Sequence, residues 1–259
     1  SYAKAECPVI SNNSAHRGTK DVPMIIPEVN PEHADIIEAQ RKRLGTKRGF
    51  IAVKSNCSLQ CYVPAIHPLR DFGVTKVLAC TYQAISGAGK TFERWPEMVD
   101  NIIPYIAGEE EKSEQEPLKI WGKVCENGIE NATKPSITTQ CIRVPVSDGH
   151  TAAVFVSFRN KPTLDEIKQR WQIYGERLSA GIVLPSAPKR FLYYFEDPHY
   201  PQIRSARELE NRMAIALGRL RNDTQYDVKF VCMSHNTVRG AAGGAILMSE
   251  MLCAKGFID

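Results

Sequence analysis

Strand-like and helix-like segments alternate through the first third of this chain, and the alternation then gives way to β-rich runs. That change of pattern constrains the fold more than any other feature. Cys7-Pro8-Val9-Ile10 reads as a short strand before the polar loop Ser11-Asn12-Asn13-Ser14, and Val22 to Pro27 reads as a second. Asn30 is placed to cap a helix with Pro31 at its first position, running through Ile36 and Ile37. Gly49 to Val53 predicts a third strand, feeding a helix that begins at Cys57. Lys76 to Ala84 predicts another, opening into Ser86-Gly87-Ala88-Gly89. Strands alternating with helices predict an α/β arrangement with a parallel sheet here.

The middle reads differently. Ile137–Val146 and Ala152–Phe158 flank Asp148-Gly149, which predicts an antiparallel pair. Thr163 and Glu166 form a capping-box pattern ahead of Leu164, Ile167 and Trp171 on one helical face. Ser205 and Glu208 repeat the pattern ahead of Leu209, Met213, Ala216 and Leu220, predicting a further helix. Tyr226 to Met233 reads as a late strand. The segment after Gly240 reads as a last helix carrying Ile246, Leu247, Met251 and Leu252.

Composition narrows the partners. The 259 residues are 43% hydrophobic and 24% charged, ordinary for a globular chain with a sizeable core. The net charge of +4 is spread out. Arg41-Lys42-Arg43 and Lys47-Arg48 lack interleaved aromatic residues, so no nucleic acid partner is expected. The eight cysteines are scattered and none has zinc spacing, so no metal site is expected and a reducing, cytoplasmic setting is. No signal peptide and no bilayer-length apolar run is visible, and no membrane association is expected.

The chemistry-bearing residues are few. A thiol at a helix N-terminus, as predicted for Cys57, is favoured as thiolate by the backbone N–H groups and the macrodipole. A distant histidine can serve as its proton partner, and His150 follows the Asp148-Gly149 turn. Any one of eight cysteines is more often a buried filler, and a lone histidine or arginine is more often a surface group. Cys61, one turn on from Cys57, reads as core. No G-x-G-x-x-G fingerprint stands near the start, and Gly87-Ala88-Gly89-Lys90 lacks the first glycine and the Lys-Ser/Thr ending of a phosphate loop.

Six stretches together resemble the aspartate-β-semialdehyde dehydrogenases, and the archaeal and fungal branch most closely. They are Pro27-Glu28-Val29-Asn30-Pro31-Glu32-His33, Ser55-Asn56-Cys57-Ser58, Gln83 to Gly89, Pro104 to Lys112, Arg143 to His150, and Asn236 to Gly244. They occur in the family's order along essentially the whole chain. The resemblance implies an N-terminally shortened chain in three parts. Residues 1–56 would be the remnant of a Rossmann NADP-binding domain. Residues 57–235 would be a mixed-sheet catalytic and dimerisation domain of the glyceraldehyde-3-phosphate dehydrogenase C-terminal type, and 236–259 a helix packing back on the first.

It further implies NADP-dependent reductive dephosphorylation of L-aspartyl-4-phosphate in lysine, threonine and methionine synthesis, by a cytoplasmic homodimer or homotetramer. Cys57 would be the nucleophile and His150 the general base and acid. Arg143 would clamp the substrate carboxylate, Glu109 the ammonium, Lys112 and Arg17 the phosphate. Gln83 and Asn56 would orient the acyl group and substrate, and Ser86, Gly87 and Asn236 would meet the nicotinamide end of the cofactor. Weak activity is expected where the phosphate loop is missing. Two rivals are an N-acetylglutamyl-phosphate reductase-like enzyme and a catalytically silent oligomerisation or substrate-binding module.

Overall fold

A computed structural model describes residues 2–176, 181 and 183–259. Two parallel strands open it, β1 (Val9–Ser11) and β2 (Ile51–Val53). The expected strand over 22–27 is an extended segment that joins β2 only through a parallel bridge from Met24 to Val53. Its ladder stops because the Asn30 side chain accepts from the Ile26 N–H and donates to the Met24 carbonyl. Asn30 is therefore not free to cap. Residues Pro31–Ile36 form a 3₁₀ segment without a side-chain cap, and α1 (Ile37–Leu44) follows, closed by left-handed Gly45.

Helix α2 (Leu59–Ile66) is buried on every side, so Leu59, Tyr62, Val63 and Ile66 each contribute roughly 1.5–3 kcal/mol. It lies on a six-stranded mixed sheet formed by β3 (Val74–Gln83), β6 (Ser136–Arg143), β7 (His150–Phe158), β8 (Leu192–Phe195), β9 (Ile215–Asn222) and β10 (Val228–Ser234), in the order β6-β3-β7-β10-β9-β8. Between β3 and β6 the chain forms α3 (Glu109–Ile120), packed on β6, and the small hairpin β4 (Lys123–Cys125)–β5 (Gly128–Glu130).

Three sequence expectations are corrected by this sheet. First, β3 belongs to it rather than to the opening parallel pair, lying parallel to β6 and antiparallel to β7. Second, β6 and β7 are not partners, because β3 separates them. Residues 144–147 pair instead with the end of β3 and beyond, through Val144 N–H to Gln83 O, Ile85 N–H to Val146 O, and Ser86 N–H to Ser147 O. Third, the helix expected from Ser205 is two single turns, α5 (Ile203–Ala206) and α6 (Leu209–Arg212), and Ala216 and Leu220 lie in β9. The run Met213 to Leu217 is buried on both faces, and such short apolar runs fit strand and helix equally.

Helix α4 (Leu164–Gly175) carries the predicted capping box and donates from Trp171 Nε1 to the Ala65 carbonyl at the end of α2. The last helix, α7 (Gly243–Ala254), follows a π-type turn at Val238–Ala242. It buries Leu247, Met248, Met251 and Leu252 against Ile25, Ala34, Ile37, Phe50 and Ala52, while Ile246 remains exposed. A buried ion pair joins the start of that turn to the opening segment. Arg239 grips the Glu28 carboxylate at 2.6 and 2.7 Å, stacks over Phe191 and donates to Gln60. No helix among the described residues is long and apolar enough to cross a membrane.

Candidate active site

Cys57 sits in the turn after β2, two residues ahead of α2. The Asn56 carboxamide oxygen accepts from the Ser58 N–H and hydroxyl at 2.8 Å each, which closes that turn. Strand β7 opens with His150 on a fully buried side chain, and its Nε2 lies 3.4 Å from Cys57 Sγ. Two residues 93 apart are thereby joined through the central sheet.

The other ring nitrogen decides what His150 can do. Nδ1 accepts the Ala84 N–H at 3.1 Å, so a neutral imidazole must carry its hydrogen on Nε2, facing the sulfur. Burial first, and then the Arg143 charge, push the imidazole pKa down to about 3, against a smaller opposing pull from the Gly149 carbonyl. The proton-acceptor role expected from the sequence would place a second N–H against that of Ala84. In this geometry the neutral ring presents its Nε2–H to the sulfur. The thiol itself is raised, by burial first and then by Glu109, while Lys54 and Arg17 oppose the rise. Helix-dipole help alone does not decide its ionisation.

The expected substrate residues gather around this pair. Glu109, buried at the start of α3, accepts from Asn56 Nδ2 at 2.9 Å to both oxygens, from Gln83 Nε2 at 3.3 Å and from Lys112 Nζ at 3.1 Å. Arg17 reaches in from the first loop, held by Glu116 at 2.9 Å and by the Asn12 carbonyl at 2.7 Å. Arg143 lies one layer deeper, donating from Nη1 to the Ala84 carbonyl at 2.6 Å. Asn236 donates to Ser86 Oγ at 2.9 Å and accepts from the Gly149 N–H at 2.8 Å.

A cleft of about 290 Å³ is lined by Arg17, Asn56, Cys57, Ser86, Gly87, Glu109, Lys112 and Asn236, together with Asn12, Ser14, Thr237, Gly240 and Ala241. Gln83, Arg143 and His150 form its floor rather than its wall. Larger recesses of about 560 and 580 Å³ lie elsewhere and hold no paired nucleophile. Gly87 and Gly240 give the cleft its flat sides. A Cβ on Gly87 would stand 2.9 Å from Arg143 Nη1 and 3.1 Å from His150 Nε2, and one on Gly240 would stand 2.9 Å from Cys57 Cβ. Glycine at both positions lets the backbone pack directly against these groups. Among the described residues no group of three or more His, Cys, Asp or Glu could hold a metal ion.

Sequence reasoning missed several members. Beside the expected Glu109, the same helix buries Ser113, Glu116 and Ile120. Their spacing of four, three and four residues is that of one helical face, which was the available signal. Lys54, three residues before Cys57, is fully buried with its pKa lowered to about 7 by desolvation, and it donates only to the Ser55 carbonyl at 3.2 Å. Of the histidines read as unremarkable, His33 and His235 are buried rather than solvated.

Comparisons with known proteins bear on this arrangement. The family described as "Semialdehyde dehydrogenase, dimerisation domain" matches residues 66–239. The chain is 42% identical over 257 residues to the aspartate-semialdehyde dehydrogenase of Archaeoglobus fulgidus, covering 99% of this chain and 73% of that one. It is 40% identical over 271 residues to the enzyme of the same name from Candida albicans, covering 100% and 74%. The crystal structure of aspartate semialdehyde dehydrogenase with NADP from Candida albicans superposes with a TM-score of 0.87 at 38% identity, over 100% of this chain and 74% of that one.

Proposed function

The chain belongs to the aspartate-semialdehyde dehydrogenase family, and from that premise we propose that it reduces L-aspartyl-4-phosphate to L-aspartate 4-semialdehyde. The observation that carries the reading is the 3.4 Å contact between Cys57 Sγ and His150 Nε2 beside a cleft lined by a carboxylate, an ammonium and a guanidinium. A soft sulfur nucleophile suits this chemistry because its acyl-thioester can accept hydride.

The Cys57 thiol, whose pKa burial raises, first loses its proton to solvent, and attack by the thiolate on the acyl carbon then forms a C–S bond and a tetrahedral oxyanion, which expels phosphate. The released phosphate takes up one proton from solvent. When bound, NADPH supplies the hydride that reduces the thioester. The resulting thiohemiacetal oxyanion collapses to aldehyde and regenerates the thiolate. Both tetrahedral species form as oxyanions and break down by losing an anion, so neither needs a proton carried by His150. A fixed Nε2–H donor at that oxygen is sufficient, and this matches the His150 tautomer.

Arg17 and Lys112 neutralise the phosphate, Glu109 pairs with the substrate ammonium, and Arg143 faces the α-carboxylate. Asn56 and Gln83 hold Glu109 and orient the acyl group. Ser86, Gly87 and Asn236 hold the nicotinamide end of NADP, a role supported by their place together on the cleft wall beside Cys57.

In this reading 1–56 belong with the dinucleotide-binding domain, 57–235 form the catalytic and dimerisation domain, and 236–259 pack back on the first. The burial of α7 against residues 25–52 supports that division. The protein works in the cytoplasm as a homodimer or homotetramer, in lysine, threonine and methionine synthesis. NADPH appearance at its absorbance band, with aspartate semialdehyde, phosphate and NADP supplied, tests the activity. A clear preference for N-acetylglutamate semialdehyde in the same assay would refute the substrate assignment.

A further inference from the structure

We propose that Glu116 is a positioning residue that ties the phosphate-side arginine and the nucleophile turn into one body. One carboxylate oxygen accepts Arg17 Nη1 at 2.9 Å, and the other accepts the Asn56 backbone N–H at 2.6 Å. Glu116 stands two turns along α3 from Glu109, buried, and is absent from the lining of the cleft that holds Cys57. Arg17 comes from the first loop and Cys57 from the far end of β2, and the backbone bonds that join the segments around them run through Ser11, Pro23 and Ile25 to Val53 and Lys54, on either side of Arg17 rather than at it. Lys119 on the same helix holds the Arg17 carbonyl and Asn12 the second guanidinium nitrogen, while this carboxylate is the side chain that bonds the Arg17 guanidinium and the nucleophile turn together. The inference rests on the phosphate role of Arg17 given above.

The bond pattern dictates which substitution is informative. Glu116→Gln keeps the shape but offers one acceptor oxygen, and its NH₂ group faces either Arg17 or the Asn56 N–H, donor against donor. One of the two ties breaks while the other competes for the remaining oxygen. Glu116→Asp keeps the charge and withdraws it by one methylene. Burial raises the Glu116 pKa, with Arg17, the Asn56 N–H and Lys54 opposing.

Two readouts test the tie without requiring turnover. Inorganic phosphate is titrated for its protection of Cys57 against iodoacetamide, and amide exchange is followed in the peptide carrying Asn56. In Glu116→Gln the phosphate concentration for half-protection rises about 10- to 100-fold, the equivalent of one charge-assisted hydrogen bond. Exchange at the Asn56 peptide rises about tenfold or more in the same variant, and Glu116→Asp moves both readouts the same way by less. A purely structural glutamate would lower the melting temperature and leave the phosphate titration of the folded protein where it was.

Unchanged protection and exchange in a folded Gln or Asp variant overturn the proposal, as does movement of only one readout. Should the Gln variant fail to fold, the Asp variant decides by the same criteria. If phosphate protects neither wild type nor variant, the role given to Arg17 fails, and the exchange readout alone decides the tie to the Cys57 turn.

Discussion

Replacing His150 separates hydrogen-bond donation from proton transfer. Its imidazole is wholly buried, with a pKa lowered to about 3 by burial and by Arg143. At pH 7 the neutral imidazole is therefore the favoured resting form. A base that must pass through the disfavoured imidazolium adds a barrier, whereas the Nε2–H donor is already present in the neutral ring. His150→Gln retains an amide N–H and loses the titratable nitrogen, while His150→Ala loses both. Loss of one preorganised oxyanion donor costs about 10²- to 10³-fold in kcat. The Ala variant is expected to fall by that factor, and the Gln variant by roughly a tenth of it or less. The assay is the rate of NADPH formation from aspartate semialdehyde, phosphate and NADP between pH 5 and 9. The wild-type profile should show no limb near the ordinary histidine value of 6.5. A Gln variant as slow as the Ala variant, with a wild-type limb near 6.5 that disappears on substitution, would refute the donor assignment.

Gly240→Ala should slow turnover about 10- to 100-fold and lower stability by about 1–3 kcal/mol, because its Cβ would meet Cys57 Cβ at 2.9 Å and displace the nucleophile. Wild-type turnover in that variant would show that the sulfur's position is not limiting. Arg239→Met leaves the Glu28 carboxylate buried and unpaired, and urea unfolding should report a loss of about 3–5 kcal/mol. Replacing both Arg239 and Glu28 with Met should cost less than the single change; the reverse order contradicts the ion-pair account. Stability should also fall as pH drops below 6.5. His33 and His150 are both held below the ordinary value in the fold, mainly by burial, so the unfolded chain binds the extra protons. For His150 the window extends from 6.5 down to about 3, and above 6.5 both contributions are flat. His33→Gln should flatten part of that slope in urea titrations at successive pH values, and an unchanged slope would exclude His33 as a source.

How much of this was legible in the chain depended on whether the signal was local. The capping box at Thr163, the buried face of the last helix, and β3 and β10 as strands follow from patterns within a dozen residues. Strand partners do not. Nothing near Asp148-Gly149 announces that β3, some sixty residues earlier in the chain, lies between β6 and β7. The stretch Met213–Leu220 fits a helical face and a two-sided buried strand equally, and only burial by the neighbouring layers selects the strand. At the site, motif resemblance named residues on the cleft wall, such as Cys57 and Glu109, and others beneath it, such as His150 and Arg143. It did not name the groups that hold these in place, such as Glu116 on the hidden face of α3, or the Ala84 N–H against the His150 ring. A backbone amide leaves no trace in residue identity. A polar stripe on a charged helix resembles a solvated surface until its partners are known.

The central claim is that the sulfur of Cys57 carries the substrate's acyl group. Rapid acid quench of the protein mixed with aspartyl phosphate in the absence of NADPH, followed by peptide mass spectrometry, tests it most directly. The account predicts one added aspartyl group on the peptide containing Cys57, sensitive to hydroxylamine and absent after Cys57→Ser. A label on any other cysteine, or none at Cys57 in a preparation that turns over, would contradict it.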